Sequence, residues 1–286
     1  MTLFALGIVL VSAVCHATWN LFAKRAGGGA TFVWTFDFVA AVLYAPLTVV
    51  ALRRWHDALT GLGLLFIAGS AVLHLAYFLM LQQGYRVGDL SLVYPLARGT
   101  GPMLSTLAAV VAFGERPGPL AVAGAAAIGI GTFILSGGGG KIADATARRA
   151  VAFALLTGAI IASYTLWDKR AVSAIGIPPI VLNWAMGFGR VILLAPVALR
   201  RREDVRRIWR EHRAAVLVVA TLSPLSYILV LTALVFTPVS YVAPAREISI
   251  LLGVIFGTRL LSEGQARRRL VGGAAMVLGV VALALG

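Results

Sequence analysis

Ten apolar stretches follow one another along this chain, each about 20 residues long, which is the length an α-helix needs to cross a bilayer core. They predict helices over 3–23, 32–52, 61–83, 91–113, 118–136, 150–167, 177–198, 214–236, 239–261 and 269–286. Polar and glycine-rich residues gather at the breaks. Between the eighth and ninth stretches only a tight turn at Thr237-Pro238 is left. The runs are continuous rather than alternating, so they do not read as strands of a membrane barrel. The first stretch is too long for a signal-peptide core and lacks a basic start, so it reads as a retained span. The expected fold class is all-α integral membrane, with ten transmembrane helices.

Composition agrees and removes alternatives. Hydrophobic residues make up 60% of the 286, charged residues 13%, and the mean hydropathy is +0.92. Ten spans leave no room for a soluble catalytic domain. A net charge of +14 invites a nucleic-acid reading. The basic residues, however, crowd into loops, seven arginines of them into 200–213, where anionic lipid at the cytoplasmic surface is the ordinary partner. Loops after odd-numbered helices carry sixteen basic residues against five on the other side, which by the positive-inside rule puts both termini outside. The lone Cys15 excludes an internal disulfide, and without a Cys/His cluster no metal or other cofactor is expected. No nucleotide-binding loop and no nucleophile–base pair is evident, so the chain is expected not to be an enzyme.

The chain also repeats itself. His16–Ala26 (HATWNLFAKRA) aligns with Ile161–Ala171 (IASYTLWDKRA) at a shift of 145. Ala97-Arg98 aligns with Ala245-Arg246, Glu115 with Glu263, Gly124 with Gly272 and Gly131 with Gly279, all at 148. The division expected is a first five-helix repeat over 1–136, a linker over 137–149 and a second repeat over 150–286. Because five is odd, the second repeat enters the membrane upside down. Inverted repeats place a binding site at their interface near the midplane, where rocking gives alternating access.

The helix-1 motif HATWNLFAKRAG, the helix-4 motif SLVYPLARGTGPML ending in FGERP, and the helix-9 motif PVSYVAPAREISILLG ending in LLSEG resemble the drug/metabolite transporter superfamily, in particular its EamA-type members. The resemblance covers nearly the whole chain. It implies a five-plus-five transporter fold but defines no substrate, and members of the family are usually drawn with both termini in the cytoplasm, opposite to the charge count. The YPLARG and APARE segments resemble a subgroup sometimes associated with phosphonate utilisation.

Ionisable residues at bilayer depth are costly and mark cavities or partners. Arg98 and Arg246 hold equivalent places after Pro95 and Pro244, and two guanidiniums related by the repeat suit one carboxylate or phosphonate. The alternative is that they cap carbonyls freed by the prolines or pair with Glu247. Glu247 faces Gly99 in the alignment and is a proton-coupling candidate, or half of a static ion pair. Asp37 is a second proton-coupling candidate; aligned with Asn183, it has Arg190 as a possible partner across the halves. Trp19, Asn20, His74, Tyr77, Tyr94, Tyr164 and Tyr241 complete the expected substrate-binding set, as aromatic walls with a few polar tips; packing alone is the alternative for Trp19, and Tyr227 is a weaker candidate. Glu115 and Glu263 read as caps in short turns. Small residues in helices 5 and 10 (Ala125/Gly129, Ala275/Gly279) read as packing struts. The chain is therefore expected to be a secondary transporter of a small polar metabolite or drug-like compound in the cell inner (plasma) membrane. Its expected partners are a small-molecule substrate, the lipid bilayer and a coupling proton or ion, with no nucleic acid, in a monomer or weak dimer. The alternatives are a lipid or lipid-linked headgroup translocator, and a membrane scaffold without transport.

Overall fold

The computed structural model describes residues 1–26, 29–55, 60–87, 90–135, 145–253 and 266–286. Among these residues the chain forms ten named helices, a further helical stretch over 248–253, and no strand. They are α1 (Leu3–Arg25), α2 (Ala30–Trp55), α3 (Gly61–Val87), α4 (Leu90–Phe113), α5 (Pro119–Leu135), α6 (Ala145–Ser173), α7 (Pro179–Arg200), α8 (Arg202–Phe236), α9 (Val239–Ala245) and α10 (Ala266–Leu285). Seven of them are long and apolar enough to cross a membrane, and α5 and the 270–285 part of α10 are shorter apolar helices. Large apolar side chains such as Leu3, Val111, Leu199 and Leu270 stand exposed on the outer faces. In water that much exposed apolar surface would be a liability, whereas in hydrocarbon it costs nothing.

Two elements differ from the sequence reading. The arginine-rich stretch is not a loop: α8 begins at Arg202 and reaches its span through a non-helical residue at His212. The helix is supported there by acidic residues in its first turn and by the i,i+3 pairs Glu203–Arg206 and Asp204–Arg207. The ninth span is not continuous either. It breaks at Arg246-Glu247 and resumes over 248–253. Through the break the backbone changes to tighter i→i+3 bonds, with Glu247 N–H donating to Pro244 O, Ser249 to Arg246 O and Ile250 to Glu247 O.

The two halves are inverted copies, and their contacts say so. On α5 a Cβ at Gly124 would lie 2.6 Å from the carbonyl of Gly279 on α10, and a Cβ at Gly279 would lie 2.6 Å from the carbonyl of Gly124. Gly131 and Gly272 stand in the same reciprocal relation. Exchanging the halves at the shift of 148 turns one glycine pair into the other. The close approach thus uses these four glycines; Gly129, expected among the strut residues, faces Met103 of α4 instead.

A second reciprocal set joins α2 and α7. Trp34 Nε1–H donates to Val191 O (3.0 Å) and Trp184 Nε1–H donates to Ala41 O (2.8 Å). Each tryptophan stacks on the phenylalanine four residues on, Phe38 and Phe188. This symmetry requires a shift of 150 between these two helices. It corrects the alignment of Asp37 with Asn183: the structural counterpart of Asp37 is Gly187, and that of Arg190 is Ala40. Most of the extra residues lie in the last turn of α6, which runs to Ser173 where a copy of α1 would end at 170; the connection to α7, which turns at Gly176 (φ +76°), adds one more.

Candidate functional site

A small, partly open cavity between the halves is built by α4, α6 and α9 with the break that follows it. It is lined by Arg98, Pro102, Ser105, Ile161, Tyr164, Thr165, Ala243, Arg246 and Glu247. Each half therefore contributes its copy of the duplicated arginine. Helix α4 can lie this close to α6 because Gly101 packs on Ile161 and Gly158 packs on Thr100. Pro102 removes an N–H from the ladder one turn beyond Arg98, and Pro244 precedes the break at Arg246, so backbone irregularity sits where it lines the cavity.

The two arginines are held differently. Arg98 Nη2 lies 3.2 Å from Glu247 Oε1, with both side chains almost fully buried. Both residues also line a second small pocket, which α5 helps to form. The other oxygen of Glu247, Oε2, is buried without a hydrogen-bond partner. Arg246 instead places its guanidinium 5.6 Å from the ring centroid of Tyr227, a cation–π contact. Among the described residues no carboxylate lies within 4.0 Å of Arg246.

Behind Tyr164 lies a polar cluster that the sequence reading did not assemble. Asp168 on α6 is fully buried and accepts hydrogen bonds from Ser70 Oγ on α3 (2.5 Å) and Tyr227 Oη on α8 (2.5 Å). His74 Nε2 stands 3.8 Å from Asp168 Oδ2 and has no hydrogen-bond partner, while its Nδ1 is 2.9 Å from the carbonyl of Ser70. The His74 ring lies against Tyr164 (centroids 4.2 Å) and meets Tyr227 edge-on. Tyr77 meets Tyr164 edge-on in turn. Asp168 escaped notice because the sixth span was placed at 150–167, ending one residue short of it, whereas α6 continues to Ser173. The alignment already held the signal: an acid stands in the repeat of an apolar motif where the first half has Ala23.

The remaining expected residues divide. Asp37 and Arg190 form a two-bond ion pair between α2 and α7, Nε to Oδ2 at 2.8 Å and Nη2 to Oδ1 at 2.7 Å. Trp19 packs with the Phe32, Phe36 and Val219 cluster and against His16, its Nε1 buried without a partner. Asn20 is exposed and donates to the carbonyl of His16. Tyr241 points away from the cavity, its hydroxyl donating to Gly286 O at the chain's end. The side chain of Tyr94, and Glu263 as a whole, lie outside the described residues.

Glu115 acts as a clamp on the neighbouring helix. Gly114, at φ +65°, turns the chain after α4, and the Glu115 carboxylate then accepts from Val239 N–H (2.7 Å) and Ser240 N–H (2.9 Å) at the start of α9. Lys169 donates to Leu234 O and Thr237 O at the end of α8. The Thr237-Pro238 turn is thereby tied from both sides, which fixes the first part of α9 and hence the depth of Arg246. Among the described residues no three His, Cys, Asp or Glu side chains gather as metal ligands would.

A profile of the EamA-like transporter family matches residues 3–137 and again residues 148–285. The chain belongs to the EamA-like transporter family. The two matches divide the chain as the reciprocal glycine and tryptophan contacts do. Membership makes this a multi-pass membrane protein of a family of transporters. A solved crystal structure with 15% sequence identity matches 100% of this EamA-like chain and 98% of its own, with a TM-score of 0.80, so the fold is shared from end to end. No curated protein matches in sequence.

Proposed function

We propose that this EamA-like protein is a secondary carrier in the cell inner (plasma) membrane that moves a small carboxylate- or phosphonate-bearing solute by alternating access. One observation supports the reading: the duplicated Arg98 and Arg246 line one small cavity between the halves, together with Glu247, whose Oε2 is unsatisfied. A buried polar atom without a partner costs about 1–3 kcal/mol, and a carboxylate oxygen only accepts, so the site favours an occupant that also carries a hydrogen-bond donor. Arg246 is the first contact for the anion, since among the described residues no carboxylate lies within ion-pair distance of it. Arg98 follows as the solute displaces Glu247, and Tyr164 supplies a ring wall. In this conformation the space has room for about one water, so a solute is admitted only as the halves rock open. Asp37, locked on Arg190, is a structural partner in this reading and not a carrier.

The test is uptake into proteoliposomes holding the purified protein, across labelled anionic, zwitterionic and cationic metabolites, at two pH values. Anions should be taken up in preference. Arg98→Gln and Arg246→Gln should each lose anion uptake. Equal uptake of all three classes, or of anions by parent and both variants, would refute the anion reading.

A further inference from the structure

We propose that Asp168 and His74 together form the proton-binding site of this carrier, holding one exchangeable proton between them. The inference rests on the transport reading above and adds the coupling ion and its place. Among the described residues three carboxylates are buried, Asp37, Asp168 and Glu247. Asp37 has Arg190 and Glu247 has Arg98, each within ion-pair distance. Asp168 has neutral hydroxyl donors from Ser70 and Tyr227 and, beyond them, an imidazole.

The imidazole geometry decides what the pair needs. The carbonyl of Ser70 can only accept, so His74 Nδ1 carries a hydrogen and donates to it. In the neutral ring Nε2 is then a bare lone pair. It faces Asp168 Oδ2 at 3.8 Å and has no other partner. A lone pair opposite a carboxylate repels. Adding one proton reverses the sign: on Nε2 it makes an ion pair, and on the carboxyl it makes a donor for Nε2. In either form Ser70 and Tyr227 keep the carboxyl in place.

The groups facing the pair come from every neighbouring helix. Helix α3 brings His74, α8 brings Tyr227 and α9 brings Arg246 over the Tyr227 ring. Tyr164, on α6 itself, covers His74 and also lines the solute cavity. Arg98 of α4 lies on the cavity side of Tyr164, and Arg190 of α7 is occupied by Asp37. Tyr164 and Arg246 therefore touch both sites, so occupancy of one bears directly on the other.

Charge balance gives the coupling its direction. Among the described residues the middle of the molecule holds Arg98, Arg190 and Arg246 against Asp37, Asp168 and Glu247, with His74 neutral. A monoanion entering this balanced core leaves it one charge negative, and a proton on the Asp168–His74 pair restores neutrality. The proton is taken from water on the side where the solute enters and released to water on the other, together with it.

Infrared difference spectra of the protein in nanodiscs, titrated from acid to alkaline pH without solute, read the pair directly. A protonated-carboxyl C=O band and the imidazole ring bands should change together over one pH interval in the parent. Asp168→Asn should abolish the carboxyl change and move the imidazole change to a different pH, and His74→Gln should move the carboxyl change. Tyr227→Phe, which keeps the ring and loses one donor, should shift the joint interval and covers the case in which Asp168→Asn does not fold. Independent titration of the two groups, or an imidazole change unmoved by Asp168→Asn, overturns the proposal. With an anion found by the uptake screen, an acid-outside gradient should drive accumulation by the parent. Asp168→Asn and His74→Gln should lose that accumulation. Undiminished gradient-driven accumulation by Asp168→Asn overturns the coupling role. If no solute is taken up by the parent, the transport reading has failed, and the infrared titration still decides whether the pair binds a proton.

Discussion

The Asp37–Arg190 pair joins the two halves through two parallel hydrogen bonds of 2.8 and 2.7 Å, and removing either partner alone should be costly. Breaking a buried ion pair from one side costs about 3–5 kcal/mol, because the remaining charge is left uncompensated. The two ends are not equivalent. The Asp37 side chain is 3% exposed and that of Arg190 30%, so a widowed carboxylate is worse placed than a widowed guanidinium. Arg190→Met should therefore fall at about 4–5 kcal/mol and Asp37→Ala nearer ~3 kcal/mol. The double variant leaves no charge behind. Its expected cost is about 1–2 kcal/mol for the lost packing, well below the sum of the single costs. Equilibrium unfolding in mixed micelles by rising dodecyl sulfate measures all three. The same double variant, once folded, should retain gradient-driven uptake, because the pair is a strut rather than a carrier. Additive single and double effects would refute the strut reasoning, and loss of pH-driven uptake in a stable double variant would return Asp37 to the coupling role.

Three further outcomes follow from the contacts. Gly124→Ala should destabilise by about 1–3 kcal/mol, since its Cβ would meet the carbonyl of Gly279 on a facing helix that cannot swing aside, whereas Gly7→Ala, with nothing within 4 Å, should be neutral in the same unfolding assay. Trp34→Phe and Trp184→Phe should each cost about 1 kcal/mol, equal within roughly 0.5 kcal/mol, because each deletes one of two symmetry-related hydrogen bonds. Glu115→Ala should cost about 1–3 kcal/mol and reduce uptake more than Lys169→Met does, because two amides at the start of α9 lose a charged acceptor and the depth of Arg246 is no longer fixed; unchanged stability and uptake would show that the clamp is idle.

Nearly all of the fold was legible because bilayer solvation leaves a coarse mark: an apolar run about 20 residues long has few structures open to it. What hydropathy could not register were changes in backbone that leave composition unaltered. The helical start of α8 reads as a loop because its residues are charged, although charged residues at i,i+3 spacing support a helix. The break at Arg246-Glu247 lies within an otherwise apolar stretch, and Pro244 was its only sign. Asp168 was lost to a boundary set one residue early, and the register of α2 on α7 to an inserted turn that only the tryptophan contacts expose. Trp19 and Tyr241 show the limit of helical spacing as a guide. Both lie on plausible stripes, yet one packs among Phe32 and Phe36 and the other reaches for Gly286.

Symmetry and its violations divide the work of the molecule. The glycine contacts of α5 with α10, the tryptophan bonds of α2 with α7 and the arginines of α4 and α9 all obey the exchange of halves. A frame of this kind has two related arrangements of similar energy, which is what rocking about a fixed site requires. The carboxylates break the exchange: Asp37 faces Gly187, Glu247 faces Gly99 and Asp168 faces Ala23 in the other copy. The violations are not equivalent to one another. Asp37 consumes an arginine outside the solute cavity, Glu247 consumes Arg98 inside it, and Asp168 consumes none, binding hydroxyls instead. The outcome is one duplicated pair of arginines held unequally, Arg98 on Glu247 and Arg246 over the Tyr227 ring. In the proposed cycle an incoming anion would meet Arg246 first, gain Arg98 only by displacing Glu247, and disturb the Asp168–His74 pair through Tyr164 and Arg246 as it does so.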